Sequence, residues 1–305
     1  MPADLKIGLT CWKAAGEWNA KTLCEQATAT ESMGFHSYWL PENHFGSRAM
    51  PSPLTQLAAV AACTSSIRLG TVSYLLPIRH PIQAAEEVAV VDQLCQGRLI
   101  LGLGRGIQQE LFRAFAIESR DKRKLFARNL QAMQQAWSGK QIGEDGPLLS
   151  PLPYQSGGPP LWVAAFGPLA LKQAAQLGLP YLASPMEDIE SLETNYAQYN
   201  ALRAEGHMPH ADVVPVMRTV FIHRDKSVRN QLAQALDKQA HAFRGGNGGD
   251  IHSWTLIGEP GYVRDKLAEY RERLGVTHLI ASGRLPGLSA QTVLDSHKLL
   301  ATIGS

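Results

Sequence analysis

Short apolar runs alternate along the chain with stretches in which apolar residues recur at helical spacing. Apolar positions after Pro81, for example, recur every three or four residues until Gly97 ends the pattern. Such alternation favours parallel strands crossed by helices. We predict eight strands, at Lys6–Thr10, Ser37–Leu40, Ile67–Leu75, Leu99–Leu103, Leu161–Ala165, Tyr181–Ala183, Val213–Ile222 and Thr277–Ala281. Eight βα units fit a (β/α)8 TIM barrel, one α/β domain over residues 1–305, better than an open sheet.

Two segments interrupt this alternation. Residues 138–160, before the fifth predicted strand, form a connection long enough to be a functional loop or an inserted hairpin. Residues 244–253 contain Gly-Gly-Asn-Gly-Gly, whose backbone is costly to order. We predict a mobile loop there, acting as a lid.

Composition excludes several classes of protein. The 305 residues are 45% apolar and 18% charged, and 29 basic against 27 acidic residues leave a net charge of +2. That balance predicts neither a nucleic-acid partner nor a membrane partner. The four cysteines form no C-x-x-C pair, and the first residues lead directly into a strand-like run. We therefore expect a cytoplasmic protein.

Polar residues directly after the predicted strands are the candidates for chemistry, because barrel enzymes carry their sites at the carboxyl ends of strands. The second predicted strand runs into Glu42, Asn43 and His44. These residues either line a pocket or solvate a loop. Glu42 and His44 are spaced for a shared metal ion, but no second cluster completes a ligand set, so we predict no metal site.

Two further strand ends predict an anion site. Three glycines, including Gly104, surround Arg105 after the fourth strand, but Ile107 stands where a dinucleotide fingerprint needs glycine. The glycines still allow a ligand to approach the backbone closely beside the Arg105 cation. Arg123, next to Lys122, adds a second cation. After the fifth strand a helix begins at Gly167, with Leu169 and Ala170 in its first turn. Helix amino termini attract anions, although most are only helix starts.

Several of these segments, taken together, resemble one known family. Glu42-Asn43-His44-Phe45 is similar to the Glu-His-His-Phe signature of the bacterial luciferase-like flavin monooxygenases, the alkanal monooxygenase-like group. The resemblance spans nearly the whole chain and is most specific between residues 67 and 106. The matching segments there are Ile67–Thr71, Leu76–Pro81, Ala85–Glu87, Asp92–Arg98 and Gly104–Gly106.

The resemblance implies a (β/α)8 barrel that holds reduced FMN, or the deazaflavin F420 in some branches. By position, Arg105 and Arg123 match the two arginines that contact the FMN phosphate, and Gly167, Leu169 and Ala170 match the remaining phosphate contacts. Val72-Ser73 matches the family's non-prolyl cis peptide bond beside the flavin ring.

The chain departs from the family pattern at two places. Asn43 replaces the first histidine of the signature, and asparagine cannot transfer a proton near neutral pH. The phosphate-binding turn has lost its acidic and hydroxyl residues, which implies weak FMN binding and reduced flavin supplied by a separate reductase.

The leading expectation is an FMN-dependent monooxygenase, in which reduced FMN and O2 form a C4a-hydroperoxyflavin that oxidises a small organic substrate. One alternative is an F420-dependent hydride-transfer oxidoreductase on the same barrel. Another is a flavin-binding protein without turnover. The resemblance also implies a homodimer, for which the apolar stripes of residues 53–64 and 82–95 offer a face.

Overall fold

A computed structural model describes residues 5–12, 19–46, 49–165, 167–244 and 250–303 of the chain. Its strands are β1 (Lys6–Thr10), β2 (Ser37–Leu40), β3 (Arg68–Thr71), β4 (Tyr74–Leu75), β5 (Leu99–Gly104), β6 (Leu161–Ala164), β7 (Tyr181–Leu182), β8 (Pro215–Ile222), β9 (Thr255–Gly258) and β10 (His278–Ala281). Its helices are α1 (Ala20–Ser32), α2 (Pro53–Cys63), α3 (Pro81–Leu94), α4 (Gln109–Ala114), α5 (Lys122–Trp137), α6 (Pro168–Gln176), α7 (Ile189–Glu205), α8 (Lys226–Arg244), α9 (Ile251–Trp254), α10 (Pro260–Leu274) and α11 (Ala290–Ile303).

The chain divides into two compact units. The first unit comprises residues 1–13, 29–37 and 165–305, and the second comprises residues 14–28 and 38–164. The single domain expected over residues 1–305 stays a prediction.

The second unit is built on the strand order β6–β5–β3–β2, with β4 paired to β5. The pairs β3–β5 and β5–β6 are parallel, as the alternating pattern predicts. Every residue of β5 is buried, which explains why its sequence is a continuous apolar run broken only by glycine. Since parallel strands end at the same edge, the residues following β2, β3 and β5 are brought near one another.

The first unit carries parallel pairs between β1 and β10, β10 and β8, and β8 and β9. Strand β7 continues into a parallel bridge between Ala183 and Val216 of β8. A buried apolar cluster forms around α8, α9 and α11, and Phe221, Trp254 and Leu285 belong to it. The polar groups discussed below for this unit follow β1 and β10.

The predicted strands differ from the observed ones in number and, at six of the eight, in their bounds by one or two residues or by an interruption. The described residues contain ten strands, so eight was wrong. The predicted strand Ile67–Leu75 is interrupted at the cis peptide bond Val72-Ser73, which separates β3 from β4. Strand β9 was missed because its four residues directly follow α9 and leave no turn signal. Helices α4 and α11 were also not predicted.

The two irregular segments have different outcomes. Residues 138–160 contain no helix or strand, so the inserted hairpin was wrong, and a functional role for this loop stays a prediction. The buried carboxylate of Asp92 accepts hydrogen bonds from the backbone N–H and side chain of Gln155, which fixes this loop to α3.

In the predicted mobile segment, residues 245–249 lie outside the described part of the chain. Residues on both sides are helical, because α8 extends to Arg244 and α9 begins at Ile251. The Asp250 carboxylate accepts the N–H of His252 and so caps α9. The prediction of a loop continuing to residue 253 was therefore wrong at residues 251–253, which belong to α9. Separately, no described helix is long and apolar enough to cross a membrane.

Candidate active site

Glu42 is the centre of a buried polar cluster where β2 ends. Its Oε2 accepts the backbone N–H of Leu75 at 2.7 Å, and its Oε1 accepts Nη2 of Arg79 at 2.6 Å. The same Oε1 lies 2.7 Å from Nε2 of His44, and the carboxylate is completely shielded from solvent. Glu42 thereby connects the end of β2 to the segment that follows β3.

The electrostatics of this cluster keep Glu42 ionised. Burial alone raises the pKa of a carboxyl group, but the hydrogen bond with His44 and the charge of Arg79 outweigh it, so the pKa of Glu42 lies below its ordinary value. An ionised carboxylate only accepts hydrogen bonds, so Nε2 of His44 must carry the hydrogen. In a neutral ring this leaves Nδ1 as the acceptor.

His44 and Asn43 face different surroundings, as expected for adjacent residues at a strand end. The side chain of Asn43 is exposed, while its backbone pairs with Met50 in an antiparallel bridge. The His44 ring is only 10% exposed and meets Phe115 edge to face at 5.3 Å. The structure thus shields the histidine and leaves the asparagine accessible.

Val72-Ser73 is a cis peptide bond, as the resemblance implied. The backbone N–H of Val72 donates to the carbonyl of Leu40 in β2 at 2.9 Å. The cis peptide bond therefore lies beside the end of β2, the strand that leads into Glu42. On the other side, a Cβ at Gly104 would collide with the Ser73 hydroxyl. Glycine at this position of β5 lets the two strand ends approach closely.

Three basic side chains collect after β5, at the start of α5. Arg105 is buried, donates from Nη2 to the Ala164 carbonyl at 3.1 Å and lies over the Phe126 ring. Lys122 donates to the Gly106 carbonyl at 3.3 Å. Burial and the neighbouring Arg123 lower the pKa of Arg105 to about 10. Burial, Arg105 and Arg123 likewise lower the pKa of Lys122. Mutual repulsion of this kind marks a local excess of positive charge.

The predicted helix start lies in the first unit. Gly167 adopts a φ of 79° and precedes Pro168 at the beginning of α6, and its carbonyl accepts the N–H of Ala170 at 3.1 Å. Leu169 is 59% exposed and Ala170 is buried. These features fit the predicted helix start, and its role in phosphate binding stays a prediction.

Sequence reasoning missed two parts of this site. Arg79 lies 37 positions from Glu42, and no motif connects them; only their common position after strand ends could have suggested the pair. The contacts of Tyr74 are the second part: the centre of its ring lies 3.8 Å from the Arg79 guanidinium carbon, and its hydroxyl donates to Glu87. Burial raises the pKa of Tyr74 far above its ordinary value, so it stays a neutral donor.

Among the described residues, no group of three or more His, Cys, Asp or Glu side chains is placed to hold a metal ion.

A model of the luciferase-like monooxygenase family matches residues 5–278, and the chain therefore belongs to that family. The alkanal monooxygenase alpha chain of the Kryptophanaron alfredi symbiont is 28% identical over 196 residues, which is 61% of this chain and 55% of that protein. The oxygenase component of the flavin-dependent trigonelline monooxygenase of Acinetobacter baylyi is 29% identical over 172 residues, 52% of this chain and 48% of its own length. The chain thus spans about half the length of these curated relatives.

Solved structures share the fold over almost the entire chain. Monooxygenase RslO1 from Streptomyces bottropensis superposes with a TM-score of 0.85 at 23% identity, covering 98% of both chains. The oxygenating constituent of 3,6-diketocamphane monooxygenase from Pseudomonas putida, in complex with FMN, gives 0.80 at 17% identity, covering 97% of this chain and 96% of that one. The F420-dependent tetrahydromethanopterin reductase of Methanopyrus kandleri gives 0.73 at 17% identity, covering 98% of both chains.

Proposed function

We propose that this protein is an FMN-dependent monooxygenase that uses reduced FMN and O2 to oxidise a small organic substrate. The observation that carries the proposal is the cluster of Arg105, Lys122 and Arg123 at the end of a parallel strand. Arg123 lowers the pKa of both Arg105 and Lys122, and an anion would relieve this repulsion. A phosphate group is the anion that FMN carries. Membership of the luciferase-like monooxygenase family supports the same reaction class.

The residues present fit the phosphate end of FMN. Arg105 offers a buried guanidinium beside Gly104, and Arg123 at the exposed start of α5 supplies a second cation. Arg105 and Arg123 would hold the phosphate, with Lys122 reinforcing their charge. We also propose Gly167, Leu169 and Ala170 as backbone contacts, and Val72 and Ser73 as contacts of the flavin ring, on the family pattern.

Reduced FMN, when bound, supplies the electrons that activate O2. The protein's own contribution is to position groups and to move a proton. With Nε2 donating to Glu42, the His44 Nδ1 is the atom able to accept a proton and return it. Asn43, exposed beside it, would hydrogen-bond the substrate without transferring a proton.

In this proposal Glu42 is a positioning residue. Its carboxylate fixes the His44 tautomer and holds the Leu75 N–H, so it orients both the proton carrier and the segment bearing the cis bond. Arg79 neutralises the buried charge at 2.6 Å.

The partners we propose are the organic substrate, O2 and a separate flavin reductase, with no nucleic acid or membrane, in the cytoplasm. The name of the Acinetobacter baylyi relative describes an oxygenase component, which favours a divided system in which reduced flavin arrives from another protein. Both this division and the (β/α)8 barrel remain proposals.

F420-dependent hydride transfer is the second candidate. The observation that favours it is the fold shared with the F420-dependent reductase of Methanopyrus kandleri and with an F420-dependent secondary alcohol dehydrogenase, which superposes with a TM-score of 0.78. Since F420 also carries a phosphodiester, the cation cluster suits it too. A third candidate is flavin binding without turnover, because Asn43 replaces the first histidine of the family signature.

Titration of the purified protein with FMN, reduced FMN and F420 separates the three. Reduced FMN should bind and accelerate O2 consumption when candidate substrates are added. Binding of F420 alone would exclude the monooxygenase. Tight binding of reduced FMN with neither product nor faster O2 consumption would favour the third candidate.

The phosphate assignment is tested with Arg105→Ala. Loss of a charged hydrogen bond to phosphate should weaken reduced FMN by about tenfold or more. Riboflavin, which lacks the phosphate, should bind wild type and variant alike. Lys124→Ala, an exposed basic residue next to Arg123, is the matched control and should change neither affinity. Equal losses for FMN and riboflavin would refute the assignment.

A further inference from the structure

Arg284 follows β10 in the first unit and presents an unused edge of its guanidinium. Nε and Nη2 are both buried, and neither has a hydrogen-bond partner among the described residues. These two nitrogens form one side of the planar guanidinium, the side that pairs with the two oxygens of a carboxylate. A buried charged donor pair without acceptors is costly, so such an edge calls for a ligand.

The backbone around Arg284 is held in place. Gly283 donates its N–H to Oγ1 of Thr10 at 2.8 Å. A Cβ at Gly283 would collide with the Thr10 carbonyl and press on the Cys11 carbonyl, so only glycine allows this approach. Arg284 is thus fixed beside the end of β1, where its charge acts on Cys11.

Cys11 does not serve as the missing counterion. Burial raises the pKa of the Cys11 thiol to about 11, although Arg284 lowers it. The thiol is therefore neutral at physiological pH, and the edge of Arg284 faces no negative charge from it.

The residue after Arg284 belongs to an apolar and aromatic cluster. The next residue, Leu285, is buried in one cluster with Trp254, and Trp12 packs against that cluster. The indole Nε1 of Trp254 is a second buried donor without a described partner. Beyond it, the His297 ring meets Trp12 at 5.3 Å, and neither of its nitrogens has a described partner. Unused donors collected beside aromatic surface fit a molecule with an apolar body and an anionic end.

We propose that the first unit binds an organic carboxylate with an apolar or aromatic body, its two oxygens on Nε and Nη2 of Arg284 and its body against Trp12 and Trp254. Binding itself needs no flavin, so the two proposals fail separately.

The test uses the full chain without flavin and measures thermal unfolding with benzoate and octanoate against benzamide and octanamide. At least one acid should raise Tm in a concentration-dependent manner, because a ligand that binds only the folded state stabilises it. The matched amide, which lacks the charge, should bind about tenfold more weakly or worse. If neither acid raises Tm more than its amide, the proposal is overturned.

Two variants locate the site. Arg284→Met should lose the response to the acid while unfolding without ligand at the wild-type Tm or above it, because it removes a buried charge that has no partner. Arg264→Met, an exposed arginine of the same unit, should keep the full response. Trp254→Phe, which removes the Nε1 donor but keeps an aromatic ring, should weaken binding of the acid severalfold and serves if Arg284→Met does not fold. An unchanged response in both Arg284→Met and Trp254→Phe would place the carboxylate elsewhere and refute the proposal.

Discussion

Glu42 shows how one buried carboxylate can organise a strand end. It accepts from a backbone N–H, a guanidinium and an imidazole, so its removal leaves three groups without their acceptor. The guanidinium of Arg79 is the costliest of these, because its side chain is only 14% exposed. Breaking a buried ion pair from one side typically costs several kcal/mol.

We therefore predict that Glu42→Gln lowers the free energy of unfolding by about 3 kcal/mol at pH 7, measured by urea denaturation. The folded-state pKa of Glu42 lies below its ordinary value, so its stabilisation is present above the unfolded pKa of about 4.3 and is lost as pH falls further. The difference between variant and wild type should shrink accordingly in acid. Glu86→Gln, an exposed carboxylate of α3, should be near wild type. A Glu42→Gln variant as stable as Glu86→Gln would show that the cluster contributes little.

His297 predicts a second, distinct pH dependence. The ring is 1% exposed, and burial lowers its pKa to about 4. Between the unfolded value of about 6.5 and pH 4, the unfolded chain takes up a proton that the folded chain refuses. Stability should therefore fall with decreasing pH across this window, by up to about 1.4 kcal/mol per pH unit.

The variant His297→Phe should flatten this loss when Tm is followed from pH 7.5 to pH 4. His210→Asn, an exposed histidine of the same unit, should keep the wild-type slope. If His297→Phe and wild type lose stability in parallel, the histidine is not the group that titrates.

Single residues were predictable from the sequence where a strand end and a motif coincide. Glu42, His44 and Arg105 were predicted this way, and Arg123 as a second cation at the start of the following helix. The contacts of Arg79, Arg284 and His297 were not predictable, because these residues acquire their significance only through burial and through what lies beside them. Desolvation is a property of the folded chain, and no spacing rule carries it.

At the scale of elements, β5 depends on two glycines for different reasons. A Cβ at Gly102 would collide with the backbone carbonyl of Thr71, which belongs to the paired strand β3. A Cβ at Gly104 would meet the hydroxyl of Ser73, a side chain that can rotate. Backbone obstruction forces strands apart, whereas side-chain obstruction is relieved locally.

We predict that Gly102→Ala destabilises the protein by about 2–3 kcal/mol and Gly104→Ala by less, both measured by urea denaturation. Adding Ser73→Ala should restore part of the stability lost in Gly104→Ala and none of that lost in Gly102→Ala. A rescue of both variants, or of neither, would contradict this account of the two positions.

Elements were predictable where apolar periodicity and a stop signal agreed. Helix α3, between Pro81 and the glycine that follows it, is such a case, and strands β1 and β2 have the predicted bounds. Strand β9 could not be recognised because it emerges from α9 with no intervening turn, and the break between β3 and β4 depends on the state of one peptide bond. Local propensity says little about either.

At the scale of the molecule, a net charge of +2 conceals strong local differences. The second unit concentrates Arg105, Lys122 and Arg123 in one place. The first unit holds Arg284, whose Nε and Nη2 atoms are buried and which precedes Leu285 of the apolar cluster. The bulk charge predicts no polyanion partner, yet two separate anion sites are compatible with it. Each would take a single small anionic group.

The second unit also exposes apolar residues on α3. Val90 is 42% exposed and Leu94 is 56% exposed, and their spacing of four places them on one face. The amide of Gln93 donates to the Leu152 carbonyl at 2.9 Å, which brings Leu152, 42% exposed, beside the same helix. We name Val90, Leu94 and Leu152 the α3 patch. Contiguous exposed apolar surface of this kind favours association.

Because a homodimer has the same patch on both subunits, one substitution changes the interface twice. We predict that the protein is a dimer in sedimentation analysis, and that Leu94→Glu, which places two carboxylates in a desolvated contact, yields monomers at micromolar concentration. Val90→Glu should act in the same direction. Leu299→Glu, at an apolar residue of α11 that is 38% exposed, introduces the same charge outside the patch and should leave the dimer intact. Dimers that persist in both α3 variants would assign the interface to another surface. A monomeric wild type would refute the predicted homodimer while leaving the flavin and carboxylate sites untouched.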